Sequence, residues 1–274
     1  MAKYIAAAIQ MASTKDIDEN LQEAGRLLDG AAAKGAKLAV LPEYLHRVAF
    51  RSREAAETVP GGQTFQFFSE KAKQLNIWIL GGTVFEKNGN QQPFNTTMLI
   101  APDGTLAAKY RKAHLYDVSV PGCVPVQESA NMAHGGEKPL VIKTEELGNL
   151  GLTICYDVRF PEVYRLLALD GAEVLFVPAD FGFVTGRAHR EVLLRARALE
   201  NGCYVIAPQQ CHKKSCGETM IIDPWGTVVA KMDMEPGVIT AEIDTDMVHS
   251  TRDSLGLFSN RRPDLYDIQW KSEE

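Results

Sequence analysis

Two segments of this chain are so alike that they constrain its fold more than any other feature. Residues 96–110 read TTMLIAPDGTLAAKY and residues 218–232 read ETMIIDPWGTVVAKM. They align without a gap, and each has two apolar runs around a Pro/Gly turn, which predicts a β-hairpin. The coinciding pairs include Thr97/Thr219, Pro102/Pro224, Gly104/Gly226 and Lys109/Lys231. Chance likeness between common hairpins is the alternative, but the flanking segments share one order, which favours two related halves.

Strand-like and helix-like segments alternate along both halves. Short apolar runs predict strands at 3–10, 38–42, 77–85, 150–156, 172–178 and 203–210. Helical spacing of apolar residues predicts helices over 18–34, 64–76, 161–169 and 186–200, the last ended by Asn201-Gly202. The segment LAVLPEY at 38–44 also echoes VLFVPAD at 174–180. We therefore expect an α/β fold with two sheets packed face to face under outer helices: a four-layer α-β-β-α sandwich with an internal pseudo-twofold repeat.

The likeness between the halves extends along the whole sequence, so no linker is needed between them. We predict a single domain over 1–274, with a core at 3–250 and a C-terminal tail at 251–274.

Composition excludes several classes of protein. Lys plus Arg number 29 and Asp plus Glu 35, so the net charge of −6 leaves no basic footprint for nucleic acid or an anionic membrane. No apolar run approaches the roughly 20 residues that span a bilayer. The N-terminus MAKYIAAAIQMAS is interrupted by Gln10 and is typical of a first strand rather than a secretion signal. Five cysteines without a CxxC pair favour a reduced, cytoplasmic protein in which a special cysteine is a nucleophile.

Three residues stand where chemistry is possible, and each has an ordinary alternative. Cys155 ends an apolar strand before a turn, where a nucleophile is exposed and the next N–H faces a developing oxyanion; its alternative is an inert, packed thiol. Glu43 follows Leu41-Pro42 and is either a solvated loop charge or a buried general base. Lys112 is either a surface cation or part of a site. None decides the matter alone.

Together the three define a resemblance. LPEY with Glu43, YRKAHLYD with Lys112 and GLTICYDVRFPE with Cys155 occur in this order and resemble the catalytic blocks of the nitrilase superfamily of carbon–nitrogen hydrolases. The resemblance implies the α-β-β-α sandwich of the nitrilase type, no cofactor, no metal, and assembly as a homodimer or larger homo-oligomer. It places the tail at 251–274 on the oligomer interface.

The resemblance also implies a mechanism for amide hydrolysis. Cys155 attacks the carbonyl and becomes a thioester, while Lys112 and the backbone N–H of Tyr156 hold the oxyanion. Glu43 takes the thiol proton, passes it to the leaving nitrogen so that ammonia departs, and then activates water. Glu128, in VQES, matches a second glutamate that positions the substrate and Lys112; a loop carboxylate is its alternative.

Three further segments indicate a branch of the superfamily. Residues 181–211, 223–230 (DPWGTVVA) and 261–266 (RRPDLY) are similar to the branch that contains deaminated-glutathione amidases. In this branch a TG-x-AH helix lines the pocket, which makes Phe181, Thr185 and His189 candidates for substrate contact.

Two departures from that branch concern the same pocket. Arg190 stands where a tryptophan is usual, and CGET at 216–219 replaces a glycine–histidine–serine pattern. The branch acts on small anionic amides, so an arginine clamp on a carboxylate is expected. Arg187 and Arg190 are the candidates, because they lie beside Thr185 and His189.

Several alternatives stay open from sequence. An omega-amidase acting on 2-oxoglutaramate is the nearest rival, and a non-catalytic binding or scaffold protein on the same fold is a rival of another class. Family analogy alone offers a histidine-triad protein as a partner. A metal site at His114 and His134 is one alternative, but solvated or core histidines are favoured because no ligand motif accompanies them.

Overall fold

The computed structural model describes residues 2–46, 52–122, 124–135 and 138–271, and within them two large sheets carry the fold. The strands are β1 (Lys3–Gln10), β2 (Ala36–Val40), β3 (Trp78–Leu80), β4 (Val84–Glu86), β5 (Phe94–Ile100), β6 (Leu106–Arg111), β7 (Asp117–Val118), β8 (Val126–Gln127), β9 (Val141–Thr144), β10 (Gly148–Leu152), β11 (Val174–Phe176), β12 (Tyr204–Ala207), β13 (Met220–Ile222), β14 (Val228–Lys231) and β15 (Gly237–Asp244). The helices are α1 (Ile17–Ala33), α2 (Gln63–Leu75), α3 (Pro161–Leu169), the short α4 (Phe183–Thr185), α5 (Glu191–Asn201) and α6 (Thr245–Leu255).

The first sheet has the order β15-β1-β2-β3-β5-β4, with β6 beside β5, and the second has the order β14-β13-β12-β11-β10-β9. The inner strands β1, β2 and β3 are parallel, as are β10, β11 and β12, and antiparallel strands flank both sets. Strands β7 and β8 form a separate small ribbon.

Side chains alternate across β1 and show how the layers pack. Ala6 and Ala8 join a core that includes Leu150 and Val174 of the second sheet. Ala7 and Ile9 face the other way and share a second core with apolar residues of α1 and α2. The four-layer sandwich expected from sequence is therefore confirmed.

The internal repeat is visible in the backbone. β5 pairs antiparallel with β6, and β13 pairs antiparallel with β14. Each ladder has one register shift, between Leu99 and Ile100 in the first and between Ile221 and Ile222 in the second. These positions are aligned in the two sequence copies, so both hairpins keep the same bulge as well as the same turn.

Glycine contacts explain two differences from the predicted elements. The strand expected over 77–85 is two strands, because the chain turns at Gly81-Gly82; Gly82 has φ +59°, and a Cβ there would lie 2.2 Å from the Pro42 carbonyl oxygen. The helix expected over 186–200 is α5 preceded by α4 and a wide turn at Gly186–Arg190. A Cβ on Gly186 would lie 2.5 Å from Cys216 Sγ, so this turn packs closely on the 211–216 segment.

A third difference concerns the nucleophile candidate. The strand expected over 150–156 ends at Leu152, and Cys155 begins a 3₁₀ turn over Cys155–Arg159. Cys155 has φ +45°, a left-handed conformation that costs a non-glycine residue energy and recurs at functional sites.

The C-terminal part of the chain packs against the rest of the same chain. β15 pairs with β1, and α6 runs through the predicted core boundary at 250. Arg252 donates to the carbonyls of Ala172 and Asn201, and Trp270 Nε1 donates to Asp170 Oδ2 at 2.7 Å. The single domain and the interface role of the tail stay predictions. Across the residues that the structure describes, we find no helix of the length and apolarity that crossing a membrane requires.

Candidate functional site

Four charged or nucleophilic residues predicted from sequence meet between the two sheets. Glu43 follows β2 and Lys112 follows β6 of the first sheet, whereas Cys155 follows β10 of the second. Lys112 Nζ lies 2.9 Å from Glu43 Oε1 and 2.9 Å from Glu128 Oε2, and all four side chains are buried. Strand ends of both sheets therefore build one crevice.

Tight backbone turns bring Glu43 into this crevice. The proline at 42 ends β2, and Tyr44 adopts φ +58° with its N–H donating to Thr83 Oγ1 at 2.9 Å. The Gly82 contact with the Pro42 carbonyl, described above, leaves no room for another residue type under this turn. The Glu43 side chain is only 1% exposed as a result.

Both oxygens of Glu43 are held. Oε1 accepts from Lys112 Nζ at 2.9 Å and from Asn95 Nδ2 at 2.8 Å. Oε2 accepts the backbone N–H of Asp180 at 3.0 Å, and the Glu43 charge is close enough to Cys155 to raise the pKa of its thiol. The base candidate is thus fixed within reach of the nucleophile candidate.

Glu128 is held by different groups. Its carboxylate accepts from Tyr44 OH at 2.5 Å, from the Tyr116 N–H at 2.6 Å and from Lys112 at 2.9 Å. Asn95 Nδ2 also lies 3.4 Å from Glu128 Oε1, so both Lys112 and Asn95 link Glu128 to Glu43.

The two carboxylates differ in proton affinity. Burial raises the pKa of Glu43 above its ordinary value, in spite of the nearby Lys112 ammonium. Burial acts on Glu128 in the same direction, but Lys112, the Tyr44 hydroxyl and the Tyr116 N–H outweigh it and lower that pKa. Glu43 is therefore the carboxylate suited to exchanging a proton, and Glu128 the one suited to staying charged.

Lys112 stays an ammonium and Cys155 a thiol in the resting site. Burial favours the neutral amine, yet the charges of Glu128 and Glu43 raise the pKa of Lys112 well above its usual value. Burial and then the Glu43 charge raise the pKa of the Cys155 thiol well above its usual value, against Lys112. A thiolate would put a third negative charge beside a single cation, so the sulfur needs a base at the moment of attack.

The Cys155 turn is anchored by Asp157, which is fully buried. Its carboxylate accepts from the Ile154 N–H at 2.9 Å, from Tyr110 OH at 2.8 Å and from the His114 N–H at 3.1 Å. One aspartate thus ties the nucleophile turn to the strand and loop that carry Lys112.

Within the described residues the Tyr156 N–H has no hydrogen-bond acceptor, as its predicted role requires. The neighbouring N–H groups of Cys155 and Asp157 are both occupied, by the carbonyls of Pro178 and Ile154.

The predicted pocket residues are only partly brought together. Phe181 is buried, and the Arg159 guanidinium lies 5.7 Å from its ring centre. His189 Nδ1 lies 3.3 Å from Arg159 Nη2. Thr185 is buried, while Arg187 is exposed and stacks on Phe183 at 4.4 Å.

The clamp expected at Arg190 is corrected by the structure. Its side chain is 1% exposed, and its two Nη groups donate to the carbonyls of Glu218 and Ala207, each at 2.6 Å. Arg190 therefore braces the pocket wall instead of presenting its guanidinium to a ligand. The reason is the wide turn at Gly186–Arg190, which directs this side chain inward.

Sequence reasoning missed five residues around the site. Asn95, Tyr44, Asp157, Arg159 and Asp180 all contact or anchor the predicted group. Tyr44, Asp157 and Arg159 lie inside the quoted motifs and could have been found there. Asp180 ends the quoted echo VLFVPAD at 174–180, whereas Asn95 reaches the site through the register of β5, which no local pattern reveals.

The described residues contain no cluster of three histidine, cysteine or acidic side chains able to hold a metal ion. His114, one of the two histidines considered for a metal, instead bonds Asp157 through Nδ1 at 2.7 Å and stacks on Phe160.

Several known proteins are similar to this chain in sequence and in fold. A deaminated glutathione amidase from Synechocystis is 44% identical over 272 residues, 95% of this chain and 99% of that protein. An omega-amidase from Danio rerio is 36% identical over 275 residues, 98% of each chain.

A third relative, the nitrilase and fragile histidine triad fusion protein of Caenorhabditis elegans, is 36% identical over 275 residues, 97% of this chain and 62% of that protein. Its crystal structure superposes with a TM-score of 0.91 at 37% identity, covering 100% of this chain and 69% of that one. The family model described as carbon-nitrogen hydrolase matches residues 5–253. By sequence and by fold, this chain belongs to the carbon-nitrogen hydrolase family and hydrolyses carbon–nitrogen bonds other than peptide bonds.

Proposed function

We propose that this enzyme is an amidase that cleaves a small anionic amide through a thioester on Cys155, with deaminated glutathione as its substrate. The observation that carries the proposal is the buried Lys112 ammonium held between Glu43 and Glu128, beside the left-handed turn of Cys155. Such a cluster is costly to bury unless its charges are used or fully compensated.

The first half-reaction acylates the enzyme. Glu43 takes the thiol proton as the Cys155 sulfur attacks the amide carbon, and the carbonyl oxygen becomes negative. Lys112 and the Tyr156 N–H stabilise this oxygen; one such donor is worth about 3–4 kcal/mol. Collapse then breaks the C–N bond, the proton on Glu43 passes to the nitrogen, and ammonia leaves.

The second half-reaction hydrolyses the thioester. Glu43 takes a proton from water as the water oxygen attacks the acyl carbon. Collapse breaks the C–S bond and returns this proton to sulfur, so the acid product leaves and the resting thiol is restored. The raised pKa of Glu43 suits a group that accepts and returns a proton twice in each cycle.

Arg159 is our candidate for binding the substrate carboxylate in place of Arg190. It lies four residues after the nucleophile, with its guanidinium 5.8 Å from the Tyr156 ring and 5.7 Å from the Phe181 ring. No carboxylate of the described chain pairs with it. An arginine on aromatic walls with open donors fits a planar carboxylate. Phe181, Thr185 and His189 remain proposed pocket residues beside it, and Arg187 a proposed residue of the outer rim.

The proposed substrate is supported by the likeness to deaminated glutathione amidases, and 2-oxoglutaramate is the second candidate because of the omega-amidase likeness. Both amides should be incubated with the enzyme and ammonia release measured. We expect kcat/KM for deaminated glutathione to exceed that for 2-oxoglutaramate at least tenfold. The reverse order would make the enzyme an omega-amidase, and no release from either, or from a wider amide panel, would favour a scaffold.

Two variants test the roles of the proposed residues. Cys155→Ala should abolish ammonia release without unfolding the protein, whereas Cys211→Ser, a matched cysteine change, should leave release intact. Glu43→Gln should accumulate the thioester, seen as an added acyl mass on the intact protein. Retention of a tenth of the activity by Cys155→Ala would contradict the assignment of the nucleophile.

We propose further that the chain assembles as a homodimer or larger homo-oligomer through its tail at 251–274. Leu265 and Tyr266 of the tail are 69% and 53% exposed, which supports a surface that another copy covers. Leu265→Asp should lower the mass measured by light scattering, and an unchanged mass would count against this surface. A histidine-triad partner is supported only by the fusion relative, and co-purification with such a protein would test it.

A reducing, cytoplasmic setting completes the proposal. The four cysteines that the structure describes, Cys155, Cys203, Cys211 and Cys216, are free thiols, as a thiol nucleophile requires. Localisation of a fluorescent fusion would test it, and an oxidising compartment would contradict it.

A further inference from the structure

A cluster of three polar side chains lies behind the reacting groups and takes no part in the mechanism above. His212 Nε2 lies 3.1 Å from Asp180 Oδ2, and the Ser215 hydroxyl bonds to Asp180 Oδ1. Ser215 Oγ and His212 Nε2 are also 2.6 Å apart. The Lys214 N–H donates to His212 Nδ1, which leaves Nε2 as the protonated nitrogen that donates to Asp180.

The backbone of Asp180 connects this cluster to the chemistry. Its N–H donates to Glu43 Oε2 at 3.0 Å, and it lowers the pKa of the Cys155 thiol against the stronger effect of burial. One backbone amide of this residue therefore contacts the base directly. The side-chain carboxylate of the same residue accepts hydrogen bonds from His212 and Ser215.

The surrounding chain is built to fix this peptide. The Ala179 N–H donates to the Pro208 carbonyl at 3.1 Å, and the Gln210 N–H donates to the Ala179 carbonyl at 3.1 Å. Phe181 exchanges two hydrogen bonds with the Gln209 amide, at 3.2 and 3.0 Å. Hydrogen bonds therefore hold the peptide before Asp180 on both sides. The contacts of the Asp180 side chain with His212 and Ser215 limit the movement that remains.

We infer that Asp180, His212 and Ser215 form a positioning unit that aims one backbone N–H at the carboxylate of Glu43, the base that serves Cys155. The inference rests on the proposed function, in which Glu43 is the base and Cys155 the nucleophile. His212 and Ser215 are positioning residues, since they touch neither reacting atom. An anchor for the 211–216 segment alone would affect stability without changing the reactivity of Cys155.

The test measures Cys155 directly and does not depend on the natural amide. Wild-type enzyme and variants are treated with iodoacetamide from pH 5 to 9, and modification at Cys155 is followed by intact mass and located by peptide mapping. The variants are Ser215→Ala, His212→Gln and Asp180→Asn, with Lys213→Ala, an exposed neighbour, as the matched control. The melting temperature of each variant is recorded beside its alkylation rate.

A misaimed N–H should slow the reaction and shift its pH profile. We expect alkylation of Cys155 at pH 7 to fall about tenfold in Asp180→Asn and about threefold in Ser215→Ala, since small misplacements cost up to about 10²-fold. The profile should move to higher pH, because the Glu43 carboxylate loses a donor and its pKa rises. The other charged or titratable groups facing this pair are unchanged in these variants: Tyr44, Lys112, Glu128 and Arg190.

Wild-type rates and profiles in all three variants would overturn the positioning unit, even with lower melting temperatures. Failure of the wild-type enzyme to react preferentially at Cys155 would overturn the proposed function together with it. Slow alkylation in the variants alongside a wild-type rate in Lys213→Ala supports both.

Discussion

The two hairpins of the internal repeat share a backbone and differ in what they carry. In β5–β6 the residues at the two ends are Asn95 and Lys112, which enter the site, and the Lys112 N–H donates to the Asn95 carbonyl at 2.8 Å. The aligned positions around β13–β14 are Gly217 and Met234. A Cβ on Gly217 would lie 2.9 Å from Met234 Sδ, so the second hairpin closes on itself.

The comparison shows that the two copies share one backbone geometry, whereas the side chains at the hairpin ends determine whether a copy contributes chemical groups to the site. Tyr110, which bonds Asp157 under the nucleophile, aligns with Met232. Lys109 and Lys231 align and are both paired, but Lys109 pairs with a buried Glu86 and Lys231 with two half-buried acids. Exchanging residues between the copies therefore separates fold from function.

The largest effect is expected from Lys112→Met, which gives the first hairpin the residue of the second. Loss of an oxyanion donor costs about 10²–10³ in kcat. The same change leaves Glu43 and Glu128 buried without a cation, and breaking a buried pair costs about 3–5 kcal/mol in the free energy of unfolding. Ammonia release and urea unfolding measure the two losses, and activity within tenfold of wild type would contradict the role of Lys112.

A smaller effect is expected from Asn95→Ala. The Asn95 amide donates to the charged form of Glu43, so its removal raises the pKa of Glu43 further. The ionised base is then present only at higher pH, and the acid limb of kcat/KM should move up by about one pH unit, since one unit equals about 1.4 kcal/mol. An acid limb that stays in place or moves to lower pH would contradict the proposed effect of Asn95 on the pKa of Glu43.

Tyr110→Phe tests the bond between the first hairpin and the nucleophile turn. The hydroxyl donates to Asp157 at 2.8 Å and accepts the Ala113 N–H at 3.1 Å, so its loss should cost about 1–2 kcal/mol of stability and about threefold in kcat. Tyr4→Phe is the matched control, because Tyr4 is also buried and donates to Leu147, away from the site. An equal loss of activity in both variants would show that the loss follows from lower stability and not from the missing bond to Asp157.

The smallest effect is expected from Lys231→Met in the second hairpin. Lys231 pairs with Glu191 at 2.9 Å and Glu218 at 3.3 Å, but it is 35% exposed, so solvent weakens both pairs. Stability should change by less than about 1 kcal/mol and kcat should not change. A tenfold loss of activity would mean that the second hairpin also contributes chemistry.

Much of this architecture could be predicted from sequence because repeated hydrophobic patterns constrain it. The hairpins, the two sheets and the meeting of Glu43, Lys112, Glu128 and Cys155 were all expected. The single strand expected over 77–85 was wrong, because apolar residues continue on both sides of Gly81-Gly82, where the close approach to Pro42 requires a turn.

The details of the site depend on features that local patterns do not contain. The left-handed Cys155 lies in a turn that Asp157 anchors through the Ile154 N–H, and the contribution of Asp180 is a backbone N–H that any residue possesses. Arg190 misled the prediction because position in sequence does not tell whether a guanidinium faces a ligand or two buried carbonyls. These outcomes depend on how distant segments meet.

The site draws its base from the end of one sheet and its sulfur from the end of the other. A slip between the layers by one atomic diameter would part them while every helix and strand survived. Catalytic activity should therefore be lost on gentle warming before circular dichroism shows any loss of secondary structure. Turnover is then the more sensitive measure of whether the two sheets keep their relative position.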